Sequence, residues 1–168
     1  MLLLWSVLAL LGASFLLIVF RGAPYVPTHA RDLEKLFSLY RFRQNDVLVD
    51  LGSGDGRVLA AAAQHGVKAV GYELNPFLYW YSKIKLRSAR NVEVRLEDFW
   101  ASKLPEGTAV VFVFLAGPFM LKLDRKLIKE AERLGRDILL VSYGVKIPGK
   151  VPESQEGALI AYRYGTLS

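Results

Sequence analysis

Val47-Leu48-Val49-Asp50-Leu51-Gly52-Ser53-Gly54-Asp55-Gly56-Arg57 is a short apolar run that ends in three glycines spaced G-x-G-x-G. An apolar run of this length closed by glycines reads as a strand buried in a sheet. The alanine-rich stretch 58–64, with Gly66 as a stop, then reads as a helix. The glycines at the strand-to-helix turn permit positive φ and let a ligand lie against bare backbone. Dinucleotide folds space their glycines G-x-G-x-x-G and bring a diphosphate to the helix N-terminus. Here Asp55 stands at that anion position, and a carboxylate there repels a diphosphate. Asp50, just before the glycines, suits a positively charged ligand group such as the amino group of a methionine moiety.

The same alternation continues outward. Residues 69–73 (AVGYE) read as a second strand, 76–88 as a helix opened by Asn75-Pro76, and 92–95 as a third strand. Residues 109–115 (AVVFVFL) are apolar throughout, as a strand covered on both faces must be. Residues 118–134 carry Met120, Leu123, Leu127, Ala131 and Leu134 on one helical face and end at Gly135. Residues 137–142 read as a fifth strand and 158–164 as a last one. The segment between them is too polar and broken for a crossover helix, which predicts that the last strand is antiparallel to its neighbour. The fold class is therefore α/β: a Rossmann-like three-layer sandwich with a mostly parallel sheet, an antiparallel final strand, and ligands at the C-terminal strand ends.

Acidic residues recur at those ends. Glu73 closes the second strand, where a carboxylate can accept hydrogen bonds from both hydroxyls of a ribose. Asp98, in Glu97-Asp98-Phe99-Trp100 after the third strand, can accept from an adenine amino group while Phe99 or Trp100 covers the ring. The expected cofactor-binding set is Asp50, Gly52, Ser53, Gly54, Asp55, Gly56, Glu73, Asn75, Asp98 and Phe99. The absence of cysteine excludes disulfides, thiolate catalysis and cysteine-ligated metals, and the two scattered histidines, His29 and His65, form no ligand spacing. No metal site is expected.

In order and spacing, residues 50–57, Gly71-Tyr72-Glu73, Glu97-Asp98 and the apolar fourth strand resemble the cofactor motifs of class I S-adenosylmethionine-dependent methyltransferases. The resemblance covers the chain from about residue 46 onward. It implies S-adenosyl-L-methionine as cofactor and S-adenosyl-L-homocysteine as product. More narrowly, an apolar N-terminal stretch, Pro24-Tyr25-Val26-Pro27-Thr28, DLGSGDGR and GYELNP together look like the membrane-anchored lysine methyltransferases of the adenine nucleotide translocase and ATP synthase c subunit, and their prokaryotic relatives. That implies a membrane-protein substrate. The chain departs from the family after the fifth strand, where it looks too short for the usual final helix and pair of strands. A trimmed sheet edge, completed by a homo-oligomer, is one expectation that follows.

The N-terminus supplies the other half of the reading. The 52% content of hydrophobic residues is high for one domain of 168 residues, and the excess sits in residues 1–20, MLLLWSVLALLGASFLLIVF. Twenty uncharged residues span roughly 30 Å as a helix, the thickness of a bilayer's hydrocarbon core. A cleaved signal peptide needs a basic start and a small-residue cleavage site, and neither is present. Arg21, Arg31, Lys35, Arg41 and Arg43 follow, so the expected localisation is a single-pass membrane anchor with the catalytic domain on the cytoplasmic side. The domain organisation is 1–20 transmembrane helix, 21–45 linker or lid and amphipathic helix, and 46–168 methyltransferase domain. Besides the juxtamembrane stretch, the net charge of +6 is concentrated in Lys83, Lys85, Arg87 and Arg90, and in Lys122, Arg125, Lys126 and Lys129. This pattern fits a lipid bilayer rather than nucleic acid, because no aromatic-studded basic groove accompanies it.

Leu115-Ala116-Gly117-Pro118-Phe119 lacks the Asp/Asn-Pro-Pro-aromatic motif of enzymes that methylate nucleobase amines. Protein-lysine N-methylation is the leading expectation. Tyr25 is expected to line the acceptor channel and Thr28 to hold a lid, although Thr28 also reads as a helix N-cap and Tyr25 as a packed aromatic. The alternatives are methylation of a lipid or lipophilic small molecule, a non-catalytic S-adenosylmethionine-binding membrane factor and, third, an NAD-dependent oxidoreductase.

Overall fold

The computed structural model of the protein describes residues 30–165, together with Met1 and Trp5. Its first helix, α1 (Ala30–Ser38), leads into β1 (Val47–Leu51), α2 (Arg57–Gln64) and β2 (Lys68–Glu73). There follow α3 (Pro76–Lys85), β3 (Val92–Leu96), β4 (Thr108–Val113), α4 (Gly117–Leu134), β5 (Ile138–Tyr143), β6 (Ser154–Glu156) and β7 (Leu159–Tyr164). The strands form one sheet in the order β3-β2-β1-β4-β5-β7-β6. β1 to β5 are parallel, and β7 runs antiparallel to β5 and β6.

β1, β4 and β5 are buried along their whole length because both sheet faces are covered. On one face α4 inserts Met120, Leu123, Leu127 and Ala131 against Val49, Leu51, Val111, Val113 and Leu140. On the other, α1 and α2 pack Leu33, Leu36, Val58 and Leu59 against Leu48, Val110, Phe112 and Leu139, and Leu86 at the end of α3 joins them. α1 is fixed to the sheet by Tyr143, whose hydroxyl donates to Asp32 Oδ2 at 2.7 Å. Asp46, at the start of β1, accepts from Arg136 at 2.6 Å, from the Arg43 N–H at 2.8 Å and from the Tyr40 hydroxyl at 3.2 Å. Residues 30–46 are thereby tied to the domain.

The far edge differs from the trimmed one expected. The pair of strands is present, as a β6–β7 hairpin turning at Gly157 with φ of 60°. Only the final helix has no counterpart, since residues 144–153 contain none. β6 is three polar, exposed residues, Ser154-Gln155-Glu156, with no apolar alternation to betray it. The sheet therefore needs no second protomer to supply its hairpin. Among the described residues no helix is long and apolar enough to cross a membrane. The predicted span 1–20, save Met1 and Trp5, lies outside the described residues, as do Tyr25 and Thr28.

Gly71 shows how tightly the front of the sheet is packed: a Cβ added there would lie 2.5 Å from Leu59 Cδ1 and 2.7 Å from both Ser53 Cβ and Ser53 Oγ. Gly71→Ala is expected to lower stability by about 1–3 kcal/mol through overpacking, which urea unfolding of the two proteins measures.

Candidate functional site

The parallel register of β1 and β2 sets Asp50 beside Gly71 and Leu51 beside Tyr72, so both strands end at the same level. From there the chain turns back over β2. The N–H groups of Gly52 and Ser53 both donate to the Tyr72 carbonyl at 2.9 Å. Gly54 N–H donates to Glu73 Oε2 and Asn75 N–H to Glu73 Oε1, each at 2.7 Å. The turn requires φ of 89° at Gly52, 53° at Gly54 and 73° at Gly56, which side-chain-bearing residues rarely adopt. Gly56 also admits the closely packed Ser82 and Leu86, which a Cβ would meet at 3.0 and 2.9 Å.

Two carboxylates stand almost fully buried at this turn, Asp50 at 3% exposure and Glu73 at 6%. Burial raises the pKa of Glu73, partly offset by the N–H groups of Asn75 and Gly54. Each oxygen of a carboxylate has more than one acceptor position, so Glu73 can take further donors. Burial, then the charges of Glu73 and Asp55, push the Asp50 carboxyl up to about 8. A cation brought to Asp50 relieves that penalty. The Ser53 hydroxyl, also buried, is left without a hydrogen-bond partner.

Asp55 behaves differently from the bare carboxylate read in the sequence. Burial pushes its pKa up, but hydrogen bonds from Arg57 and the charges of Lys85 and Arg57 outweigh this and hold it low. Arg57 Nε and Nη2 reach Asp55 Oδ1 and Oδ2 at 3.0 Å, and Lys85 Nζ lies 3.6 Å from Oδ2 and donates to the Asp55 carbonyl at 3.0 Å. Lys85 belongs to α3, too far along the chain for spacing to have paired it with the turn.

Asn75 uses its side chain locally. Its Oδ1 caps α3 by accepting from Phe77 N–H at 2.9 Å and Leu78 N–H at 3.4 Å. Asp98 Oδ1 accepts from Trp100 N–H at 2.9 Å in the turn after β3. Phe99 points into the core at 5% exposure, whereas Trp100 is half-buried, 4.6 Å from Phe99 between ring centroids and with Lys122 Nζ 4.1 Å from its own. Of the two aromatics, Trp100 is the more exposed, with Lys122 over its ring and Phe99 packed beside it. Among the described residues no group of three His, Asp or Glu side chains is arranged to hold a metal ion.

A turn of bare backbone with buried carboxylates at the ends of two adjacent parallel strands invites comparison with known proteins. The family model of the ANTKMT methyltransferase domain matches residues 50–154. The chain belongs to this family. It is 38% identical over 112 residues to the lysine N-methyltransferase of the ATP synthase c subunit from Homo sapiens, covering 65% of this chain and 47% of that protein. To the adenine nucleotide translocase lysine N-methyltransferase of Mus musculus it is 40% identical over 108 residues, covering 62% of this chain and 46% of that one. The chain thus spans about half the length of these curated relatives. Among solved structures, an RNA methyltransferase from Salinibacter ruber in complex with S-adenosyl-L-homocysteine superimposes with a TM-score of 0.71 at 28% identity, covering 83% of this chain and 92% of that one. The matched segment runs from Asp50, at the glycine turn, to Ser154, at the start of β6.

The raised pKa of Asp50 has a consequence for stability. In the unfolded chain this group ionises near 3.8, and in the fold only at about 8, so the fold binds the extra proton between these values. Its contribution is fully present below pH 3.8 and is lost as pH rises towards about 8, at a slope of up to about 1.4 kcal/mol per pH unit. Asp50→Asn is expected to remove that slope and to raise the melting temperature at pH 8, which thermal unfolding across the pH range measures.

Proposed function

We propose that the protein is an S-adenosyl-L-methionine-dependent methyltransferase, and within that class a protein-lysine N-methyltransferase acting on a membrane protein. The observation that carries the reading is the pairing of buried Asp50 and Glu73 beside the glycine turn. Asp50 suits the ammonium of a methionine moiety, Glu73 has acceptor positions for ribose hydroxyls, and residues 52–56 allow close approach of a ligand to backbone. To these we add Ser53, whose hydroxyl is buried without a partner, and Asp98, in the turn after β3, as further polar groups for the cofactor. When bound, the cofactor supplies an electrophilic methyl group. The protein's part is to align a neutral acceptor amine, exclude water and let a proton depart, which needs no strong base.

Lysine as acceptor is supported by the two relatives named for lysine N-methylation. A membrane substrate is supported by residues 1–20, read as a single-pass anchor with the catalytic domain on the cytoplasmic side. Nine residues, 21–29, separate that stretch from α1, and even fully extended they reach only about 30 Å. The acceptor must come to the site near the bilayer. Pro24-Tyr25-Val26-Pro27-Thr28 lies within this reach, and we assign it the role of a lid, with Tyr25 lining the acceptor channel and Thr28 holding the lid.

One second reading has an observation of its own, the Salinibacter ruber RNA methyltransferase as a structural neighbour. The sequence after β4, Leu115-Ala116-Gly117-Pro118-Phe119, lacks the motif expected for a nucleobase amine and argues against it. Membranes from a strain lacking the gene, incubated with the full chain and methyl-labelled cofactor, separate the cases. Label in a protein band, located on lysine by mass spectrometry, is expected; label confined to lipid or to RNA contradicts the proposal. Tyr25→Ala should lower turnover at least about tenfold, on the scale of a lost positioning contact, with cofactor affinity little changed. Equal loss of both would remove the channel role.

A further inference from the structure

α3 wears its apolar side outward. Phe77, Trp80, Tyr81 and Ile84 are 60%, 60%, 58% and 63% exposed. They fall at i, i+3, i+4 and i+7, so they form one continuous stripe along the helix. The opposite side is satisfied: Ser82 is fully buried, Tyr79 packs on the core, and Leu86 lies beneath the glycine turn. Four large hydrophobic side chains in one exposed row are a contact surface rather than the scattered exposure common on soluble domains.

The charge around the stripe says what it meets. Lys83, Lys85, Arg87 and Arg90 follow along the same segment, and no acidic residue occurs between Glu73 and Glu93. Lys85 Nζ lies 5.9 Å from the ring centroid of Tyr81, so one cation borders the aromatic row itself, and Lys83 Nζ lies at the same distance from Tyr79 beneath it. Aromatic and aliphatic side chains on one side of a helix with lysine and arginine beside them are the pattern that settles into the boundary between headgroups and acyl chains. A second copy of the chain would bring two such basic clusters together, which disfavours a homodimer through this face. The stripe also lies on the side of the sheet that carries α1, and α1 follows the apolar residues 1–20 by only nine residues.

We infer that α3 docks flat on an anionic lipid bilayer through Phe77, Trp80, Tyr81 and Ile84, with Lys83, Arg87 and Arg90 set against the headgroups. This is a second membrane contact, separate from residues 1–20. It rests on the proposed anchoring only for bringing the domain to the surface. Because Lys85 holds the Asp55 carboxylate and carbonyl, the docked helix is joined directly to the glycine turn.

The chain contains no cysteine, so single labels can be placed cleanly. Trp80→Cys, Ile84→Cys and, on the opposite sheet edge, Gln155→Cys are labelled with NBD in the full chain, and folding of each is checked by thermal unfolding. Each is reconstituted into vesicles of phosphatidylcholine and phosphatidylglycerol containing phosphatidylcholine spin-labelled high on the acyl chain. Immersion of the stripe about 5–10 Å into the boundary predicts loss of roughly half the emission at 80 and 84 and little at 155. A water-exposed label at 80 and 84, or one shielded without lipid quenching, as a protein partner or another part of this chain would give, overturns the docking while anchoring stands. Failure of the chain to associate with vesicles overturns both.

Discussion

A single carboxylate, Glu73, fastens the glycine turn to the end of the neighbouring strand, and the candidate site exists in its present shape because of that fastening. An ionised carboxylate taken out of water is costly unless its oxygens are satisfied. Here the N–H groups of Gly54 and Asn75 satisfy one oxygen each at 2.7 Å. The Tyr72 carbonyl takes the N–H groups of Gly52 and Ser53 just before it, so four backbone N–H groups across the turn and the start of α3 are held by two residues of β2. Gly71 lets the turn sit down on the strand, because any side chain there would collide with Ser53 and Leu59.

The electrostatics of the turn follow from the same arrangement. Three carboxylates converge, yet cations are supplied to only one of them: Arg57 and Lys85 neutralise Asp55. Asp50 carries its burial and the fields of its two neighbours. This asymmetry favours a positive charge near Asp50, and it costs the fold stability as pH rises. The burial that favours a cation at Asp50 thus opposes stability at the same residue.

Much of this was legible in the sequence, because the fold is written in local signals. Strand, glycine turn and helix at 47–64, the wholly apolar β4 and the amphipathic α4 each declare themselves by period and by breakers, and the antiparallel last strand follows from the lack of a crossover helix. Other features were not legible. β6 is a three-residue polar edge strand, held by pairing with β7 alone. The partners of Asp55 include Lys85, thirty residues away. Asn75 shows its capping role only once the helix it starts is seen. The row of Phe77, Trp80, Tyr81 and Ile84 has the period of a core-facing helix, and only the packing of α3 by its other side reveals that the row faces outward.

The domain thus joins a glycine turn flanked by buried carboxylates to a helix with an outward apolar row, and Lys85 is the link between them. Everything proposed about the acceptor depends on the turn holding S-adenosylmethionine rather than a dinucleotide. Isothermal titration calorimetry of the full chain with S-adenosyl-L-homocysteine and with NAD tests that most directly. Saturable binding of S-adenosyl-L-homocysteine, weakened about tenfold or more in Glu73→Gln by the loss of a charge-assisted acceptor, and no binding of NAD are the results expected. Binding of NAD as tight as or tighter than that of S-adenosyl-L-homocysteine would contradict the account.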